Sequence, residues 1–166
     1  TLDNLVTAEQ GAALAGITSS DGSVAWHSIQ DDLANLATAS SITENLTDAL
    51  AVDSTVDITV TDDDDLTTDD HVLAVNKIVA AINNANDVTA SFEINKASAA
   101  KFSGVAAKDL TITVTDAMSV TEFGTLDDVT SNSITLSEGI IDDIGDLVET
   151  DDDGNLSVAA DLTTAI

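Results

Sequence analysis

The pentapeptide Ile58-Thr59-Val60-Thr61-Asp62 returns unchanged as Ile112-Thr113-Val114-Thr115-Asp116, 54 residues further on. An echo at that spacing marks a repeat chain, whose stability comes from stacking neighbouring units rather than from one closed core. Looser echoes agree. Leu14-Ala15-Gly16-Ile17-Thr18-Ser19 matches Leu126-Asp127-Asp128-Val129-Thr130-Ser131 at a displacement of 112, and Ile29-Gln30-Asp31-Asp32-Leu33 matches Ile140-Ile141-Asp142-Asp143-Ile144 at 111. Asn45-Leu46 matches Asn155-Leu156 at 110, so all three are close to twice the shorter displacement. The chain is therefore read as a single repeat domain, 1–166, made of units 1–57, 58–111 and 112–166, with Val60 and Val114 expected in matching layers.

Strand and helix periods alternate along the chain. Val56, Ile58 and Val60 face one way while Asp57, Thr59 and Thr61 face the other. Segments 110–115 and 88–94 show the same period of two, with weaker strands expected over 133–137 and 23–28. The outward positions are rich in Thr, which is polar and β-branched and so favours extended chain. Between strands the period becomes helical: Val72, Val75, Ile78, Val79 and Ile82 share one face, and shorter helices are expected around Leu33–Leu36, Leu46–Leu50 and Ile141–Val148. Ser41-Ile42-Thr43-Glu44, Ser119-Val120-Thr121-Glu122 and Thr7-Ala8-Glu9-Gln10 have the form of capping boxes. Strands separated by helices must run parallel. The expected fold is an α/β solenoid of strand–helix coils with a parallel sheet, two coils to each unit. A doubly wound nucleotide fold also alternates strands and helices, but it needs a glycine-rich turn after an early strand, and this chain has none.

Composition narrows the setting. The apolar fraction of 43% separates the chain from a disordered acidic tail, although its formal charge is −27. With 31 acidic residues against four lysines, the surface repels nucleic acid and also repels itself. Such a surface suits an ionic medium or one with divalent cations, which points to an extracellular or cell-surface setting, although a halophile cytoplasm would also fit. There is no cysteine, so no disulfide or thiolate metal site exists. No apolar run approaches the ~20 residues of a membrane span, and no signal-peptide pattern opens the chain. The first residue is Thr, which suggests a processed form or an excised piece. All four lysines (Lys77, Lys96, Lys101 and Lys108) fall in the middle unit. That placement suggests either drift between repeats or a lateral contact with an acidic unit of a neighbour.

Candidate chemistry is sparse. Asp62, Asp64, Asp116, Asp151 and Asp153 sit at strand ends and turns, where hard carboxylate oxygens suit Ca²⁺. The calcium-loop pattern is not met, because Gly154 arrives too early. No cofactor is required by the sequence, and Ca²⁺ is the one candidate. His27 and His71 occupy non-equivalent places and read as surface or capping groups. No nucleophile elbow or phosphate loop is present, and no carboxylate pair is singled out for acid–base work, so the chain is not read as an enzyme.

The strand word I-T-V-T-D, the capped S-V-T-E helix start, the L-x-x-Φ-T-S turn and the I-x-D-D-Φ segment together resemble degenerate tandem repeats. Such repeats belong to very large acidic cell-surface proteins of cyanobacteria and proteobacteria, of the adhesin or surface-layer type. The resemblance implies an extracellular, structural, non-catalytic role and carries over no functional residues. From the stacking argument, a solenoid without polar caps leaves adhesive layers at both ends. The expected assembly residues are Leu2, Leu5, Val6 and Leu14 at one end, and Leu156, Val158, Leu162 and Ile166 at the other. Head-to-tail joining of a second copy would build a filament, sheath or surface layer. The alternative is a segment of a large adhesin or phage fibre that binds a surface or glycan.

Overall fold

The computed structural model describes residues 5–15, 26–62, 66–82, 87–102, 108–150 and 156–158. Six strands form one parallel sheet in chain order: β1 (Leu5–Val6), β2 (Ser28–Asp31), β3 (Asp57–Val60), β4 (Val88–Ile94), β5 (Leu110–Val114) and β6 (Ile134–Leu136). Helices occupy the crossovers. These are α1 (Ala8–Ala15), α2 (Leu33–Leu36), α3 (Glu44–Val52), α4 (Asp69–Ala81), α5 (Lys96–Ala99) and α6 (Val120–Asp127). A sheet that steps in one direction with crossovers of constant hand collects its helices on one face. Burial along the strands fits that layout. In β4, Val88, Ala90, Phe92 and Ile94 are buried while Thr89 and Glu93 are exposed.

Register shows how far the repeat extends. One inward row runs Val6–Ile29–Ile58–Val88, and another runs Phe92–Ile112–Ile134. Ile58 therefore pairs with Val88, whereas Ile112 pairs with Phe92, four residues further along β4. The seven-residue β4 pairs with β3 through its first two residues and with β5 through its last five. Val60 and Val114 do face the same core, both fully buried. They do not lie in matching rows, which corrects the layer equivalence expected from the 54-residue echo. Sequence spacing counts loop residues as well as strand residues, and loops of unequal length move the register without disturbing the strand word.

Local signals placed most elements well. Segment 88–94 is a strand over its whole expected length. The Ser119 box is complete: Ser119 Oγ accepts from Glu122 N–H at 3.1 Å, and Glu122 Oε2 accepts from Ser119 N–H at 2.8 Å. Thr7 and Gln10 make the same reciprocal pair at 3.0 and 3.2 Å. The third box is displaced. Thr43, not Ser41, caps α3, its hydroxyl accepting from Leu46 N–H at 3.2 Å. Of the strand expected over 23–28, residues 23–25 lie outside the described residues; β2 begins at Ser28, and Trp26 is buried ahead of it.

Two strands depart from the parallel order. After the short helix α7 (Ile144–Leu147), strands β7 (Val148–Thr150) and β8 (Leu156–Val158) form a separate antiparallel hairpin. Neither strand was expected from the sequence, and with no helix between them a short connection permits only an antiparallel return.

The core is aliphatic and tightly packed. Phe92 and Phe102 meet edge to face at 5.2 Å and 89°, a favoured aromatic geometry. α1 lies so close to α3 that a Cβ on Gly11 would come within 2.8 Å of Ala49 Cβ. Glycine is what permits that approach.

Candidate functional site

The strand ends carry a ladder of carboxylates. Asp31 Oδ2 accepts from Ala8 N–H at 3.1 Å, and Asp62 Oδ2 from Leu33 N–H at 2.9 Å. Asp116 Oδ2 accepts from Lys96 N–H at 3.2 Å, and Asp142 Oδ2 from Val120 N–H at 2.9 Å. Each donor is the first residue of a helix (α1, α2, α5 and α6), and each acceptor comes from the next strand–helix step. A helix start has unpaired N–H groups and a positive dipole end, so a carboxylate from the neighbouring step stabilises both. The ladder thus ties α1, α2, α5 and α6 each to the step that follows it.

Two of the proposed calcium ligands, Asp62 and Asp116, belong to this ladder and lie in different steps. Asp64, Asp151 and Asp153 lie outside the described residues. Among the described residues no group of three or more His, Cys, Asp or Glu side chains is arranged to hold a metal ion. Asp31 and Asp142 were not singled out from the sequence. The signal that finds them is the shared segment I-x-D-D-Φ, whose first Asp does the cross-step bonding.

Three acidic groups are held below their ordinary values. Asp32 is lowered first by the Thr61 hydroxyl, 2.7 Å from its Oδ1, and then by the adjacent Asp62 carboxyl. Asp69 is lowered first by the Ser98 hydroxyl at 2.6 Å, with Lys101 Nζ at 3.4 Å adding to it. Glu122 is lowered first by the Ser119 backbone N–H, then with help from Lys96 at 3.6 Å.

The lysines divide by role. Lys96 and Lys101 bridge neighbouring helices through those two ion pairs. Lys108 is 2% exposed, paired in the sheet direction with Thr130, and is a core residue rather than a surface charge. Lys77 is exposed and makes no ion pair among the described residues.

Both outer strands of the sheet lack a further strand beside them among the described residues. At the β1 edge, Leu5 is 53% exposed, Val6 is buried under the sheet, and Leu14 packs partly against the core. Leu2 lies outside the described residues. At the β6 edge, Ile134 and Leu136 are only partly buried, and beyond them Ile141 and Ile144 are 70% and 77% exposed. Of the terminal layer expected at Leu156, Val158, Leu162 and Ile166, the two described residues, Leu156 and Val158, are not part of this edge. Leu156 and Val158 sit in the hairpin, with Val158 half exposed, and Leu162 and Ile166 lie outside the described residues. Among the described residues the exposed apolar side chains beyond β6 are Ile141 and Ile144, which the sequence placed on a helix.

Grooves indent the helical side. One of about 570 Å³ is lined by Leu33, Ala34, Ala37, Asp62, Asp70 and His71 among others. His71 Nδ1 accepts from Thr67 N–H at 3.1 Å, which fits the capping role expected for it. The second, about 200 Å³, is lined by Phe102, Met118, Leu126 and Val129, with Lys96 and Glu122 beside them. Among the described residues no helix is long and apolar enough to cross a membrane. Comparison of the chain with protein-family models, with curated proteins and with solved structures gave no match.

Proposed function

We propose that this chain is an extracellular structural module, a short solenoid that joins end to end through the open edges of its parallel sheet. The product is a filament, sheath or surface layer, and the role is structural rather than catalytic. One observation supports this reading above the others. The segment that buries Leu33 and Leu36 in the interior recurs beside β6 with Ile144 exposed. The recurrence has the sequence of a covered step in an uncovered place. An edge with free strand hydrogen-bonding groups and apolar neighbours favours pairing with another edge. β6 of one copy against β1 of the next is a heterologous contact, and such contacts propagate. Calcium enters as a counter-ion that screens the −27 charge during assembly.

A second reading uses the same geometry within a longer polypeptide of the adhesin or fibre kind, where a further step of the chain covers Ile144. The polar outer face favours it, with Thr59 beside Thr89, Ser91 beside Thr111 and Thr113 beside Thr135. Such a hydroxyl-lined surface suits contact with a glycan or a mineral or cell surface.

Mixing distinguishes assembly from isolation. Leu5→Lys blocks one edge, and Ile141→Lys with Ile144→Lys blocks the other. Light scattering in moderate salt with Ca²⁺ should show elongated oligomers for the wild type. Each blocked variant alone should be monomeric, and their mixture should give 1:1 heterodimers. Wild-type protein that stays monomeric under these conditions sinks end-to-end joining.

A further inference from the structure

From the charge pattern of α4, we infer that two copies of this chain also pair side by side, through antiparallel contact of their α4 helices about a two-fold axis. The contact is independent of the sheet edges. Helix α4 is the longest of the described helices, spanning Asp69–Ala81. Its two flanks differ. Asp69 and Asn76 face α5, through Ser98, Lys101 Nζ and the Lys101 carbonyl. Asp70 and Ala74 line the groove on the opposite flank, towards α2.

Lys77 follows Asp70 by seven residues, which puts these two exposed side chains on one helical stripe. The separation along the axis is about 10 Å at ~1.5 Å per residue. Asp70 and Lys77 are both exposed, and neither side chain has a partner among the described residues. This is notable in a chain with 31 acids and four lysines, where two of the other lysines pair internally and Lys108 is buried.

An axis passing between Leu73 and Ala74 sets Lys77 of each copy opposite Asp70 of the other. A two-fold contact requires such self-complementarity. Leu73 is half-buried between those two charges, whereas Ala74, 3% exposed, turns inward to the core. The groove beside Ala74, with Asp62 on its wall, adds further negative potential for the incoming lysine. Two −27 bodies repel at long range, so pairing strengthens as salt rises from very low to about 0.15 M, where the Debye length is ~8 Å.

The chain has no cysteine, so Leu73→Cys is a clean reporter. Under mild oxidation, Leu73→Cys protein should form a disulfide-linked dimer. Adding Lys77→Asp should slow cross-linking by about tenfold or more, through like-charge opposition. Adding Asp70→Lys together with Lys77→Asp should restore it, because the swapped charges again meet opposite partners. Circular dichroism of each variant checks that the surface changes leave the fold intact. Equal cross-linking rates in all three proteins overturn the proposal, as does failure of the double swap to recover. Binding of spermidine to the groove by protein that never cross-links also overturns it, since the groove then serves a small cation. End-to-end joining leaves the two introduced thiols apart, so a block of the β1 or β6 edge should not change the cross-linking rate.

Discussion

Asp31-Asp32-Leu33-Ala34-Asn35-Leu36 and Asp142-Asp143-Ile144-Gly145-Asp146-Leu147 have almost the same backbone. Asp32 and Asp143 have φ/ψ of −66/146 and −69/150. In each segment the first Asp side chain accepts from the next residue's N–H at 3.0 Å, and the second Asp carbonyl accepts from three residues on at 2.9 Å. Their surroundings differ. Leu33 is 4% exposed and Leu36 is fully buried, whereas Ile144 is 77% exposed. The interior copy is covered by α4, and Asp62 of the following step bonds Leu33 N–H. A short hydrogen-bonded turn is set by its own residues, but burial is set by what lies on top of it. An apolar side chain with no cover gains nothing from the hydrophobic effect until a partner arrives.

The largest test of this contrast is truncation at the two sites. Leu36→Ala should cost ~2–5 kcal/mol, because it opens a cavity in a filled core. Ile144→Ala should change monomer stability by less than ~0.5 kcal/mol and instead weaken association. Urea unfolding, followed by the fluorescence of Trp26, measures the first. Equal losses at both positions would mean that the β6 edge is covered within the monomer.

Gly11→Ala probes the tightest interior contact and should cost ~1–3 kcal/mol through overpacking against Ala49. Neutrality there would show that α1 shifts freely over α3. Next in size is the ladder. Asp62→Ala and Asp116→Ala should each cost about 1 kcal/mol, the usual scale of a lost helix-start acceptor. The ladder idea fails if Asp→Ala at a ladder position costs no more than Asp→Ala at the exposed Asp48, which makes no side-chain hydrogen bond among the described residues.

The smallest expected effect concerns pH. Asp69 and Glu122 have folded values below their ordinary 3.8 and 4.5. Stability from a lowered carboxyl is present above its ordinary value and is lost as pH falls through the folded value. The stability gap between wild type and Glu122→Gln should therefore be constant well above pH 4.5 and close as pH drops below it. A gap that widens on acidification would reverse the sign argued here.

Much of the fold was legible in the sequence because it rests on local rules. Alternation marked β4 over its full length, and the Ser119 box gave the start of α6. The same rules erred where two local choices competed. Ser41 and Thr43 are both able to cap α3, and only packing selects Thr43, whose hydroxyl also reaches the Asn35 carbonyl at 2.7 Å. Strand β1 was missed because two residues show no period; its pairing with Ser28 and Ile29 defines it. The candidate site was less legible. Asp62 and Asp116 stood out by abundance and repetition, but their use as helix-start acceptors depends on a helix from the preceding step.

By itself, the sequence determined where the chain turns, which strand positions face inward and where helices begin. Those choices depend on neighbours a few residues away. Only the tertiary structure decided that the repeated words fall four residues out of row, that Lys108 is buried, and that Ile144 is left bare while Leu33 is covered. Register and burial are sums over loop lengths and distant surfaces, and no short stretch of sequence contains them.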